Sequence, residues 1–447
     1  MHENKDLYES IPVGRALIRL MVPTVISQII TVIYNMADTF FIGRLNNKDL
    51  VAAATLSLPL FMFLTALANL FGIGGSAVIS RCLGRGDNGR AMRASAFSVW
   101  AAAAAAVVYG AVLYVIGPRL LPLLGTDADT YAPTRSYLLW VITIGGIPTV
   151  LNAVFAHLVR SEGYSGRASF GMGLGGVLNI LLDPLFIYTF DLGIAGAAIA
   201  TAVSNLAGCI YFVIFLHSIR QKSVIRPLPR YFTFSDHIAS ETLVSGLPGA
   251  IMTVMGTLSN AVLNHLAAGY TNYAVAGLGI AKKVDSLAYA ISLGMTQGTI
   301  SLIAYNYASG NKARMHESIR KALLATMAIA LIILITLELG AGVITRAFID
   351  DSGTVSYGRM FLRINAVAAP TTAANYMIVT VFQAAREKKK SLFLSLLRKG
   401  SLDIPLMIGL NALIGVKGIL WATPIADFTA LVISLALFLP FYKKLDE

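Results

Sequence analysis

Six acidic residues fall inside long apolar stretches of this 447-residue chain: Asp38, Asp183, Asp285, Glu338, Asp403 and Asp427. A carboxylate at bilayer depth is costly, so it faces a protein interior or a watery path, where it can take up and release a proton or hard cation. Asp183 has the richest surroundings. Asn179 precedes it by four residues, which puts both side chains on one helix face. Pro184 follows directly and removes a backbone N–H beside the carboxylate. Thr201, in the next apolar stretch, offers a hydroxyl. Carboxylate, amide and hydroxyl oxygens suit a proton or sodium, and there is no His/Cys set for a transition metal. The plainer alternative is a hydrogen-bonded network holding two helices together. Asp38 lies fifteen residues after Pro23 in the first apolar stretch. That proline frees a carbonyl and favours a kink, while the plainer place for Asp38 is an interfacial helix end.

The other candidates read more as structure than as chemistry. Lys282, Lys283 and Asp285 are close enough in sequence to pair internally, as part of a gate or a brace. Asp403 lies near Arg398 and suggests an inter-helix ion pair; Asp427 suggests the same or a packing cap. Glu338 falls near an outer surface. Gln297 and Asn260 are candidate cavity donors, although neutral amides in membrane helices often bond neighbouring helices. Met252 and Met255 suit an adaptable apolar pocket for varied substrates, or ordinary packing. Cys82 and Cys209 are too few for a disulfide framework or a metal site.

The elements that must position these residues follow from composition. Only 13% of residues are charged against 56% hydrophobic, with 39 glycines and a net charge of +12. That is about half the charged fraction of a soluble domain, so a soluble fold, disorder and a collagen-like fibre are all excluded. A membrane-spanning helix needs about 20 mostly apolar residues. Twelve such stretches are present, at 16–42, 51–80, 94–116, 135–158, 169–190, 193–217, 243–268, 273–303, 322–345, 359–382, 392–413 and 418–441. Their length and Ala/Leu/Gly richness predict helices rather than barrel strands. The fold class is an all-α polytopic membrane protein. The first apolar run begins near Ala16 after a polar start and is too long for a signal-peptide core.

With the N-terminus inside, twenty-three of the 35 Lys/Arg fall in inner segments and seven in outer ones. This positive-inside bias predicts two cytoplasmic termini. Basic charge is therefore a topology signal, and no basic domain outside the membrane exists to bind nucleic acid.

The chain also repeats itself at an offset of about half its length. The segment from Ile79 to Arg90 matches that from Ile303 to Arg314, with Gly86 on Gly310. Pro23 matches Pro248, Pro148 matches Pro370, Pro184 matches Pro405, and Gly193-Ile194 matches Gly418-Ile419. Six spans per half is an even number, so both halves insert in the same orientation. The predicted organisation is a six-helix lobe at 1–217, a linker at 218–242 containing Arg226-Pro227-Leu228-Pro229-Arg230, and a second lobe at 243–447. Two-lobed transporters that rock around a central cavity are built this way.

Taken together, Pro23…Asp38-Thr39…Gly43, the GRGDNGRA segment at 84–91, Asn179-Ile180-Leu181-Leu182-Asp183-Pro184, Gly193…Gly196-Ala197-Ala198, and Tyr305-Asn306-Tyr307-Ala308 with Gly310…Arg314 resemble the multidrug and toxic compound extrusion (MATE) transporters, in their bacterial MepA-like and DinF-like branch. The resemblance runs from Pro23 to about Asp427. It implies twelve helices in a V of two lobes, and export of amphipathic, often cationic drugs in exchange for H+ or Na+. The implied coupling residues are Asp38, Asn179, Asp183 and Thr201, with Tyr137 joining them; the first four would ligate sodium if sodium is the ion. One branch of the family has a glutamate in the seventh span, but Ser245–Met252 contains none, which favours coupling in the first lobe. The resemblance further implies a monomer in the plasma membrane, with no cofactor beyond the coupling ion and no enzymatic reaction. A lipid-linked saccharide flippase of the wider superfamily is the alternative, and sparse intramembrane Arg/Lys weighs against it. A prenyltransferase would need paired DDxxD carboxylates, an ATP-driven pump a GxxxxGK[ST] loop, and a channel a repeated filter.

Overall fold

The computed structural model describes residues 5–445, and among them the regular structure is helical throughout. After a short N-terminal helix, Lys5–Glu9, come α1 (Val13–Gly43), α2 (Lys48–Arg85), α3 (Asn88–Leu123), α4 (Ala128–Ile144 and Gly146–Ser161), α5 (Ser165–Thr189) and α6 (Gly193–Ser218). The second half contributes α7 (Ile238–Ala267), α8 (Asn272–Ala308), α9 (Lys312–Phe348), α10 (Ser352–Ala384), α11 (388–414) and α12 (Val416–Lys443). Among the described residues, nine helices are long and apolar enough to cross a membrane, and α4, bent by 50°, makes a tenth. The expected spans 359–382 and 392–413 lie on α10 and α11. The chain is an all-α polytopic membrane protein.

The sequence repeat is visible in local structure. Gly86 and Gly310 both take the left-handed conformation (φ +76° and +74°) that closes α2 and α8 and that glycine adopts without steric cost. The next helices start alike: the Asp87 side chain accepts from the Arg90 N–H at 2.9 Å, and the Asn311 side chain from the Arg314 N–H at 3.0 Å. Pairing repeats too. As α1 packs on α5, α5 on α6 and α2 on α4, so α7 packs on α11, α11 on α12 and α8 on α10.

The two halves meet through α2 against α7 and α1 against α8, joined by backbone-close crossings. A Cβ placed on Gly246 would lie 1.7 Å from the Leu70 carbonyl oxygen, and one on Gly74 2.1 Å from that of Thr242. Buried Arg81 donates across this crossing to Ser245 Oγ at 3.0 Å and to the Gln383 carbonyl at 3.3 Å. Glu241 is ion-paired with Arg90 at 3.1 Å and with Arg386. The N-terminal helix straps the same end. Tyr8 stacks on Tyr305 with ring centroids 4.8 Å apart and donates to the Ser161 carbonyl at 2.9 Å, while Arg314 donates to the carbonyl of Ile11 at 2.6 Å. Towards the opposite end, the last hydrogen bonds between halves are Gln28 to Gln297 at 2.7 Å and Asn69 to Thr253 at 3.0 Å. Beyond these, the described residues form none. One end of the interface is closed.

Candidate cation site

Helix α5 carries glycines on more than one face, and these set the site's geometry. A Cβ on Gly176 would lie 2.8 Å from Ile30 Cγ2 and 3.0 Å from Tyr34 Cδ1, so the lack of a side chain lets α1 lie directly against α5. A Cβ on Gly175 would lie 3.3 Å from the Ser204 carbonyl, which brings α6 in on another side. Small residues permit such backbone approach in membrane helices. The result is that Asp38 of α1, Asn179 and Asp183 of α5, and Thr201 of α6 converge on the side of the interface away from its closed end.

Asn179 organises the cluster. Its Nδ2 donates to Asp183 Oδ1 and to Thr201 Oγ1, both at 3.2 Å. Asn179, Asp183 and Thr201 are buried, and Asp38 is half-buried. The carboxylates of Asp38 and Asp183 lie within reach of each other's charge, and Tyr137 within reach of both. Three buried oxygens, Asp38 Oδ1, Asn179 Oδ1 and Asp183 Oδ2, accept no hydrogen bond among the described residues. A buried acceptor left unmatched costs about 1–3 kcal/mol. All three could ligate a hard cation and the two carboxylate oxygens could take a proton, and no basic side chain among the described residues pairs with either carboxylate. Among those residues, too, no group of three or more His, Cys, Asp or Glu is gathered as a transition-metal site.

A polar path continues from Thr201. Asn205 donates to the Thr201 carbonyl at 2.9 Å and to Thr149 Oγ1 at 3.3 Å, and Asn152 donates to Asn205 at 2.9 Å. Tyr34, one turn before Asp38, lies within reach of its charge. Sequence reasoning missed Tyr34, Asn152 and Asn205. The four-residue step from Tyr34 to Asp38 was a usable signal; nothing in the sequence linked the two asparagines.

The remaining candidates lie elsewhere. Pro23 is inside α1 and cannot bond the Arg19 carbonyl; next to it, Thr24 Oγ1 donates to the Leu20 carbonyl at 2.7 Å. Gln297 is buried at the interface with Gln28, and Asn260 is exposed on α7. Met252 packs against a cluster that joins Ile378 and Phe382 to Ile73 and Ala77 of α2, and Met255 Sδ lies 3.0 Å from the Cβ position of Gly400.

Asp427 forms the expected inter-helix ion pair, whereas the pairings expected for Asp403 and Asp285 differ. Arg398 pairs with Asp427 at 3.0 Å, and Asp403 pairs with Lys399 at 2.8 Å. Lys282 donates to Asn264 at 3.0 Å, Asp285 accepts from Asn365, and Glu338 pairs with Arg363 at 3.6 Å. Residues 397–403 form a π-helical turn. Consecutive residues of a helix do not face the same side, so neighbouring Arg398 and Lys399 reach different carboxylates.

Known proteins resemble this chain over nearly its whole length. The multidrug export protein MepA of Staphylococcus aureus (strain N315) is 28% identical over 420 residues, covering 94% of this chain and 92% of that protein. MepA of Staphylococcus saprophyticus is 29% identical over 420 residues, with the same coverage. Two solved structures share the fold at 24% identity, each match covering 99% of both chains. One is MATE in complex with MaD3S, with a TM-score of 0.92; the other is the outward-facing conformation of a multidrug resistance MATE family transporter of the MOP superfamily, with a TM-score of 0.90. The MatE family model matches twice, over residues 23–185 and 248–408, each match opening on one of the paired prolines. The chain belongs to the MatE family.

Proposed function

We propose that the protein is a secondary active multidrug exporter, which exchanges a proton or sodium ion for amphipathic, often cationic organic compounds. The observation that carries this reading is an asymmetry among carboxylates. Asp38 and Asp183 share one site with unfilled acceptors and, among the described residues, no basic partner, whereas Glu241, Asp403 and Asp427 are each ion-paired. Two like charges in a low-dielectric site repel, and a bound cation relieves that repulsion. The MepA relatives, named as multidrug export proteins, support the substrate class.

The proposed organisation is two six-helix lobes, 1–217 and 243–447, joined by a linker at 218–242. With twenty-three Lys/Arg on the side of the termini, both termini are cytoplasmic in the plasma membrane, and the closed end is the inner one. The site then opens outward. A proton or sodium ion entering from outside is held by Asp38, Asn179, Asp183 and Thr201, with Tyr137 beside them. Neutralisation lets α1 rearrange about Pro23, and drug leaves to the outside. The lobes then rock, the ion leaves to the cytoplasm, and a new substrate binds. The cycle requires ion and substrate to favour different states. At a membrane potential near ~100 mV, each charge moving inward supplies roughly 2.3 kcal/mol. One chain performs the cycle as a monomer, with no cofactor and no catalytic reaction.

The test is dye efflux from proteoliposomes under separately imposed pH and sodium gradients. Asp38→Asn and Asp183→Asn should abolish gradient-driven efflux while insertion and monodispersity persist. Wild-type rates in either variant, or wild-type transport indifferent to both gradients, would remove the reading.

A further inference from the structure

The second half holds a structural counterpart of the cation site. Asp403 on α11 is fully buried, and Lys399 stands four residues before it, as Asn179 stands before Asp183. Thr423 of α12 donates its hydroxyl to Asp403 Oδ1 at 2.8 Å, so the helix after the carboxylate supplies a threonine in both halves. The first helix of the half closes the set: Ser259 of α7 donates to Asp403 Oδ2 at 2.6 Å. Aligning Pro23 with Pro248 places Ser259 on Tyr34, and Leu263 on Asp38. Asp183 directly precedes its proline and Asp403 precedes its own by two residues. This difference coincides with the π turn, which ends on Asp403 in α11 but begins after Pro184 in α5.

Two of the substitutions between the copies change charge. One carboxylate has become leucine, and the bridging amide has become an ammonium. Both oxygens of Asp403 are satisfied, Oδ2 by Lys399 Nζ at 2.8 Å and by Ser259, and Oδ1 by Thr423. In the first half, Asp183 Oδ2 and Asp38 Oδ1 are left open. The other charged groups in reach of this pair are Arg398, itself bound to Asp427, and Lys282 and Asp285 of α8. We propose that α7, α11 and α12 form a second monovalent-cation site in which the Lys399 ammonium is the resident, tethered cation, so that this half does not exchange an ion. The contrast with an exchanging first half rests on the function proposed above.

The tether can be cut by Lys399→Asn, which installs the residue type found at 179. It is best read in an Asp38→Asn/Asp183→Asn background, where the first-half site is disabled. Detergent-purified full-length protein is assayed for bound 22Na+ and, separately, for proton uptake from weakly buffered solution. The expected result is one additional equivalent of Na+ or proton per protein on Lys399→Asn, lost again when Asp403→Asn is added and absent from Lys399→Arg. No additional equivalent in Lys399→Asn, or one that survives Asp403→Asn, overturns the proposal. If Lys399→Asn is not monodisperse, Lys399→Gln carries the same expectation and the same refutation. Failure of the antiporter reading shows separately, as unchanged cation binding between the wild type and the Asp38→Asn/Asp183→Asn pair, and leaves the Lys399 comparison readable.

Discussion

The closed end of the interface can be opened by one methyl group. A Cβ on Gly246 would sit 1.7 Å from the Leu70 carbonyl oxygen, 2.6 Å from its carbon and 2.9 Å from its Cα. Carbon–oxygen contacts relax at about 3.3 Å, so Gly246→Ala must part α2 and α7 by roughly 1.6 Å at this crossing. Both contacting groups are helix backbone, and no flexible side chain can give way. Overpacking of this kind costs about 1–3 kcal/mol. The penalty falls only on the arrangement in which this end is closed, because the alanine clashes only there. A bias of that size shifts a two-state population by about 5–150-fold. The assay is distance measurement between spin labels at Asn88→Cys and Lys312→Cys, both exposed at this end, in a Cys82→Ala/Cys209→Ala background. Gly246→Ala should move the distribution to longer distances and slow drug efflux, with the protein still monodisperse. Unchanged distances together with unchanged efflux would refute the reasoning, since the crossing would then not be the contact that holds this end shut.

Two further outcomes follow from buried charge. Arg398→Met strands Asp427, whose side chain is 1% exposed, and should cost about 3–5 kcal/mol; thermal unfolding in detergent reads this, and the double variant Arg398→Met/Asp427→Leu should recover much of the loss, whereas a single variant as stable as wild type would contradict it. Glu162, in the loop after α4, is buried against Ser223 and the Val224 N–H, and burial pushes its carboxyl from an ordinary 4.5 up to about 7. The folded state therefore holds this proton more tightly than the unfolded chain. Stability should fall as pH rises from about 4.5 to 7 and level off above, by at most on the order of 3 kcal/mol. Glu162→Gln should flatten that slope between pH 5 and 7.5, and a slope that persists would assign it to another group.

Much of the architecture was legible because it depends on local chemistry. Apolar runs long enough to cross a bilayer must become helices, since no other open segment satisfies its backbone in lipid. The repeat of Gly86-Asp87 at Gly310-Asn311 gave matching helix breaks and caps, because a left-handed glycine followed by a capping side chain is a local solution. Asn179, Asp183 and Pro184 were readable as a unit for the same reason: i,i+4 spacing on one helix needs no tertiary information. The pairing of Arg398 and Lys399 was not readable. Asp403 and Asp427 lie on different helices, and the packing of α12 on α11 decides which basic group faces which.

Sequence alone determined that this chain is a duplicated set of membrane helices, with a carboxylate, an amide and a proline clustered on the fifth. It also marked Asp38 as a carboxylate in costly surroundings. Only the tertiary structure decided that the charge of Asp38 reaches Asp183, because that depends on how closely α1 approaches a glycine face of α5. Likewise, only packing decided which carboxylates are neutralised. A charge's cost is set by its partners in space: among the described residues Asp38 and Asp183 have no basic partner, whereas in the second half Asp403 and Asp427 have Lys399 and Arg398.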